Sequence, residues 1–205
     1  MNELGMKQLI RKLVQGELRK SIPIGISNRH LHVSEKDFAK LFPGKELRVK
    51  KWLKQPGEFA AEEVVTLVGP KGEIANVRIL GPVRAKTQIE LSLTDTRYLG
   101  IKAPICLSGQ LDEAGLITLR SEFGEISVKA AIVAQRHIHM SPEEAAQLGL
   151  VGQETVAVKV ATPKRTTIFE DVAVRIGKGY ALELHLDTDE ANSASAEADT
   201  LGEIL

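Results

Sequence analysis

The chain has 205 residues with 27 basic and 27 acidic side chains, five histidines and one cysteine, a length that at ~150 residues per domain allows one or two domains and a real core. Zero net charge argues against non-specific nucleic-acid or membrane-surface binding. Cys106 alone can build neither a disulfide framework nor a multi-thiolate zinc site, so a metal would take nitrogen and oxygen ligands.

Residues 4–19 place Leu4, Met6, Leu9, Ile10, Leu13, Val14 and Leu18 at the spacing of a one-faced helix, the one long helix expected. It is either packed on its own protein or exposed for docking. No apolar run reaches the ~20 residues of a membrane span, and residues 1–20 lack a signal peptide's apolar core, so a cytoplasmic protein without membrane or nucleic-acid partners is expected. From Ile22 onward the pattern is strand-like: Pro23–Ile26, Leu47–Leu53, Val64–Val68, Ile74–Leu80, Gln88–Leu93, Leu116–Leu119, Glu125–Ala134, Thr155–Ala161, Thr167–Ile176 and Ala181–Leu186. Many short strands with little helix indicate a mainly β protein of barrels or sandwiches.

The chain repeats itself. Ser27-Asn28-Arg29-His30-Leu31-His32-Val33-Ser34 returns as Ala134-Gln135-Arg136-His137-Ile138-His139-Met140-Ser141, and Ile89-Glu90-Leu91-Ser92 is echoed by Leu182-Glu183-Leu184-His185. Two related β-domains are expected, 21–105 and 106–205, with a boundary near Gly100–Gly115 and room for strand exchange between them. Residues 1–20 stand before them as the amphipathic helix.

Side chains at i and i+2 of a strand share a face, so His30 converges with His32 and His137 with His139. Two imidazoles on one strand form a chelate for a borderline divalent metal that needs one further donor. The second echo offers Glu90 to the first pair and His185 to the second, Ser92 being a poor ligand. Three protein ligands leave a coordination position open, the catalytic arrangement of zinc. The run His137-x-His139-x-x-x-Glu143 also fits a cupin pattern. However, Ser141-Pro142-Glu143-Glu144 reads as a helix N-terminus with a capping box, and Ser34 to Asp37 starts a helix in a similar way.

Arg84 leads into the Glu90 strand and sits at the mouth of the first site, where its fork suits phosphate, sulfate or carboxylate. Lys45, Arg48, Lys50, Lys51 and Lys54 form a basic segment in a neutral chain, read as a solvated face. Lys71 and Arg78 flank a hairpin of the same half. Asn192 follows His185 in an acid-rich helix start and is a candidate substrate contact. Cys106 has no neighbouring His or Lys to activate it and is read as inert. No phosphate loop, nucleophile elbow or dinucleotide fingerprint occurs.

The stretches Ile24 to His32, Val77-Arg78-Ile79-Leu80-Gly81-Pro82, Thr87-Gln88-Ile89-Glu90, Ala134 to Met140 and His185 to Asn192 together resemble the PduL-type phosphate propanoyltransferases, the phosphotransacylases of bacterial microcompartments. The likeness runs from Ile22 to Asn192. It implies two β-barrel domains with a two-zinc site between them and the reaction of an acyl-CoA carrying propanoyl or another short acyl group with phosphate to give acyl phosphate and CoA. It further implies that His30, His32 and Glu90 hold one zinc and His137, His139 and His185 the other. Arg84 matches the phosphate-binding catalytic arginine, while Ile26, Ser27, Asn28, Lys71, Arg78 and Asn192 match CoA contacts. The helix over Leu4–Leu18 resembles encapsulation peptides, which implies shell or cargo partners and a place inside a microcompartment, although the family also has cytosolic forms. A homo-oligomer is expected.

One departure stands out: the family's Pro-Val-Arg-x-Ser-Gly stretch reads Pro104-Ile105-Cys106-Leu107-Ser108-Gly109, without the arginine. No role carries over to that linker, whereas the metal ligands are untouched. The chemistry expected is direct attack of Arg-held phosphate on the thioester, without an acyl-enzyme. A metal-dependent thioester hydrolase uses the same metals with water as nucleophile, and a zinc-stabilised scaffold would need the histidine pairs but not Arg84.

Overall fold

Period-two alternation is plainest along Phe59–Val68, where buried positions alternate with more exposed ones over all ten residues. The computed structural model describes residues 21–205, and the helix expected over 4–19 lies outside the described residues. In chain order the strands of the first part are β1 (Ser21–Ser27), β2 (His30–His32), β3 (Val49–Trp52), β4 (Phe59–Val68), β5 (Glu73–Gly81), β6 (Gln88–Leu91), β7 (Ile105–Cys106) and β8 (Gly115–Arg120). There follow β9 (Glu125–Ala134), β10 (His137–Met140), β11 (Thr155–Ala161), β12 (Thr166–Ile176), β13 (Glu183–Asp187) and β14 (Leu201–Ile204). Among the described residues four short helices join them: α1 (Glu35–Leu41), α2 (Leu93–Leu99), α3 (Pro142–Leu148) and α4 (Thr188–Ala194). The mainly β architecture expected from the sequence is present.

The described chain divides into two units. One, the His30 unit, comprises residues 27–135 and 187–189; the other, the His137 unit, comprises 21–26, 136–186 and 190–205. In the His30 unit a barrel closes in the order β4-β5-β2-β6-β9-β8, with β8 bonded to β4, while β3 and β7 extend the sheet from β4 and β9. In the His137 unit the closed barrel runs β1-β13-β10-β12-β11-β14. The two share a plan. Each histidine strand pairs in parallel with one neighbour (β2 with β5, β10 with β12) and antiparallel with the other (β2 with β6, β10 with β13).

Each barrel is completed by the strand that precedes the other barrel's histidines. β1 leads into β2 through only Asn28 and Arg29, yet it belongs to the His137 barrel. β9 leads into β10 but lies in the His30 barrel, in parallel with β6. Closure satisfies the backbone edges that an open six-stranded sheet would leave unpaired.

Capping residues end the strands and start the helices. Ser92 and Ser141 each form a capping box, with Asp95 and Glu144 respectively, and Gly100 and Gly149 close those helices in the left-handed conformation. The Glu144 carboxylate accepts from Ser141 N at 2.8 Å and Glu143 is exposed, so the acidic pair serves α3 rather than a cupin site. Ser34 caps α1, but the Asp37 carboxylate departs from a capping box by accepting from Thr87 Oγ1 at 2.7 Å.

Leu31 and Ile138, each between two histidines, are fully buried in the cores of their units, which turns the flanking imidazoles to the opposite face. Leu31 packs in a cluster that includes Leu67, Ile79 and Ile89; Ile138 packs with residues that include Met140, Val158 and Leu184. Replacing either by alanine is expected to cost about 2–5 kcal/mol. Urea denaturation of Leu31→Ala and Ile138→Ala measures it; a loss under ~1 kcal/mol would show that these positions do not anchor the histidine strands.

Candidate metal centres

The donors of the His30 unit are assembled by strand register. β2 lies between β5 and β6 so that His30 stands opposite Arg78 on one side and Glu90 on the other, and His32 stands opposite Gln88. One ligand atom from each of His30, His32 and Glu90 lies within 4.8 Å of the others. His30 Nδ1 sits 2.8 Å from the carbonyl of Asn28, and His32 Nδ1 3.2 Å from that of Leu80. A carbonyl only accepts, so both Nδ1 atoms carry the proton and both Nε2 lone pairs are left to face a metal. His30 Nε2 lies 3.5 Å from Glu90 Oε2. Burial, followed by the charges of His30 and Arg84, lowers the pKa of His32 to about 3 and keeps it in the neutral form that ligates.

The His137 unit repeats the arrangement with an all-imidazole set. His137 pairs with His185 and His139 with Glu183 across β10 and β13, and the three histidines hold ligand atoms within 4.8 Å of one another. The rings of His137 and His185 stack at 4.9 Å between centroids, and Tyr180 stacks on His139 at 4.1 Å. Gly25 makes room for Glu183: a Cβ there would meet its carboxylate carbon at 2.8 Å. Both donor sets suit a borderline divalent ion such as zinc, which accepts imidazole nitrogen and carboxylate oxygen in tetrahedral geometry.

Register also corrects the second sequence echo. Glu90 and His185 occupy the same position, each opposite the first histidine of its pair, while Gln88 and Glu183 stand opposite the second. The echo, which aligns Glu90 with Glu183 and Ser92 with His185, is out of step by two. A shift of two preserves the facing of every side chain, so strand periodicity cannot detect it. Ser92 is the N-cap of α2, where the other half has Asp187 before α4.

A second duplicated pair, unremarked in the sequence, braces each centre. Arg29, next to His30, donates its Nε to both Asp95 oxygens at 2.9 and 3.0 Å. Arg136, next to His137, bonds Glu190 at 3.0 Å and the Glu170 carbonyl at 2.7 Å. Each joins the start of a histidine strand to the helix that follows the third donor.

Arg84 joins the end of β2. Its backbone N donates to the Val33 carbonyl at 2.9 Å, and its Nη2 donates to Glu58 Oε1 at 2.7 Å. The loop that carries it leaves β5 at Gly81, where Phe59 and Leu47 occupy the space a side chain would need. Arg78 stands beside His30, with Nη1 on the carbonyls of Ala61 and Glu62. Ile26 is exposed, Ser27 ends β1 and Asn28 holds His30, while Asn192 is exposed on α4. Lys71 lies in the turn before β5 with its stem against Gly100, off the Arg78–His30–Glu90 row. In the basic segment, Arg48 pairs with Glu62 and Glu63, and Lys45 lies 3.7 Å over the Phe123 ring. Burial and then the Glu90 charge push the Cys106 thiol pKa up, which leaves it protonated and unreactive.

The family model for phosphate propanoyltransferase matches residues 23–197. The chain belongs to that family. It is 52% identical over 180 residues to the phosphate propanoyltransferase of Shewanella putrefaciens, covering 87% of this chain and 85% of the relative. It is 45% identical over 206 positions to that of Levilactobacillus brevis, covering 100% and 99%, and 48% over 194 residues to that of Citrobacter rodentium, covering 94% and 92%.

His32 makes a testable contribution to stability. In metal-free protein it stays neutral when folded down to about pH 3, whereas unfolded it protonates near 6.5. Protons therefore favour the unfolded chain as pH falls from about 6.5 toward 3, and the contribution is complete above 6.5. Urea midpoints of chelator-stripped protein should fall over that window, and less steeply in His32→Gln. Equal slopes in the two proteins would refute it.

Proposed function

We propose that the chain interconverts a short-chain acyl-CoA, such as propanoyl-CoA, plus phosphate with acyl phosphate plus CoA. The observation that carries this reading is Arg84, a guanidinium fastened by its backbone to the strand that bears His30 and His32. Family membership over residues 23–197 supports the substrate class.

Arg84 holds phosphate by a charge-assisted fork, with Nε and Nη1 available beside the Nη2 that Glu58 occupies. One phosphate oxygen attacks the thioester carbonyl carbon, the C–O bond forms, the C–S bond breaks, and the sulfur leaves as CoA thiolate. Orientation of two bound reactants supplies much of the rate. No side chain takes the acyl group, in keeping with the protonated, unactivated Cys106. Two zinc ions, held by His30, His32 and Glu90 and by His137, His139 and His185, would supply Lewis-acid stabilisation of negative charge on oxygen and sulfur.

On the same reading CoA contacts fall to Ile26, Ser27, Asn28, Lys71, Arg78 and Asn192. Residues 1–20 would direct the enzyme, as a homo-oligomer, to a microcompartment's shell or cargo. Among the described residues no helix is long and apolar enough to cross a membrane.

The test follows thiol release from propanoyl-CoA with and without phosphate on protein of measured metal content. Release should require phosphate and yield acyl phosphate, and Arg84→Ala should lower it about 100- to 1000-fold with the metals still bound. Release that ignores phosphate would instead identify a metal-dependent thioester hydrolase, and wild-type rates in Arg84→Ala would overturn the role of the arginine.

A further inference from the structure

We propose that Gln88 is a positioning residue for the first donor set, clamped by Ser108 and Gly109 of the turn after β7 so that Glu90 offers a metal one oxygen in a fixed direction. The inference rests on the metal-binding reading of His30, His32 and Glu90.

Gln88 is buried on β6, two residues before Glu90 and on the same face, opposite His32. Its carbonyl oxygen accepts from Gly109 N at 2.7 Å. A backbone N–H can only donate, so this contact fixes which end of the amide is oxygen. The amide nitrogen then donates one hydrogen to Glu90 Oε1 at 2.6 Å and the other to Ser108 Oγ at 2.7 Å. With Oε1 engaged by Gln88, Oε2 is the oxygen turned toward His30 Nε2. A ligating carboxylate whose second oxygen is hydrogen-bonded is held in one orientation, and such outer partners govern metal affinity.

The clamp is itself built. Gln110 N bonds the Leu107 carbonyl at 3.0 Å, Leu107 N bonds Gln110 Oε1 at 3.3 Å, and Cys106 Sγ bonds the Gln110 carbonyl at 3.2 Å. The linker that lacks the family's arginine thus retains a turn whose Ser-Gly end grips Gln88. In the His137 unit the matching position holds Glu183, whose Oε2 lies 3.4 Å from His185 Nε2. The chemistry is reciprocal: a carboxylate ligand has an amide donor beside it, and an imidazole ligand has a carboxylate beside it.

The experiment titrates zinc into the full chain against a chromophoric chelator, for wild type, Gln88→Glu, Gln88→Met and Ser108→Ala. Glutamate can still accept from Ser108 and Gly109 but cannot donate to Glu90, so it separates the clamp from the donation. Wild type should bind two ions per chain. Gln88→Glu and Gln88→Met should bind one of the two about 10- to 100-fold more weakly and the other unchanged, and the cobalt spectrum of the weakened site should change. Ser108→Ala should weaken the same site by a smaller factor. Two unchanged sites in Gln88→Glu overturn the inference while leaving the metal reading intact; a wild-type chain that binds no metal overturns both. Should the Gln88 variants lose both sites through misfolding, Ser108→Ala decides, since unchanged binding there overturns the clamp and one weakened site supports it.

Discussion

The pairing of each histidine strand between a parallel and an antiparallel neighbour is the constraint on which the rest of this structure depends. Because β2 runs antiparallel to β6 in a register that sets His30 opposite Glu90, three donors from two strands meet without a loop positioning any of them. The same register between β10 and β13 sets His137 opposite His185. Donors on paired strands are held by backbone hydrogen bonds on both sides, and the buried Leu31 and Ile138 prevent the strand from turning over. The barrels therefore serve as rigid mounts for short-range chemistry.

Polar contacts around the donors set their direction. The carbonyls of Asn28 and Leu80 fix the Nδ1 protons of His30 and His32, and the Arg29–Asp95 and Arg136–Glu190 pairs tie each histidine strand to a helix. Their recurrence in both halves marks them as part of the duplicated plan. The halves differ in where charge is placed: Glu90 stands where the other half has His185, and the arginine of the parallel neighbour lies beside the first histidine in one half (Arg78, His30) and beside the second in the other (Arg175, His139).

Much of this was legible in the sequence because the relevant periodicities are short. Runs of Val, Ile and Thr over Glu125–Ala134 and Thr167–Ile176 mark strands, and the two HxH pairs converge by the geometry of a strand alone. Ser-Pro-Glu-Glu at 141–144 identified a helix start for the same local reason. Register is a long-range property: a shift of two residues leaves every facing intact, so the echo aligns Glu90 with Glu183 although the strands set Glu90 and His185 at the same position. Gln88, Asp95 and Tyr180 carry no local signal, because their roles come from partners distant in sequence, Ser108 and Gly109, Arg29, and His139. Nor does any local signal say which barrel β1 or β9 joins, since a strand's own pattern is the same in either.

The proposed chemistry depends on two metal ions held by six side chains. Anomalous scattering at the zinc edge from crystals of the zinc-loaded protein tests this most directly. The expected result is two peaks per chain, one within about 2.0–2.2 Å of the nitrogens of His30 and His32 and an oxygen of Glu90, the other at the same distance from nitrogens of His137, His139 and His185. A single peak, or peaks ligated by other residues, would contradict the account.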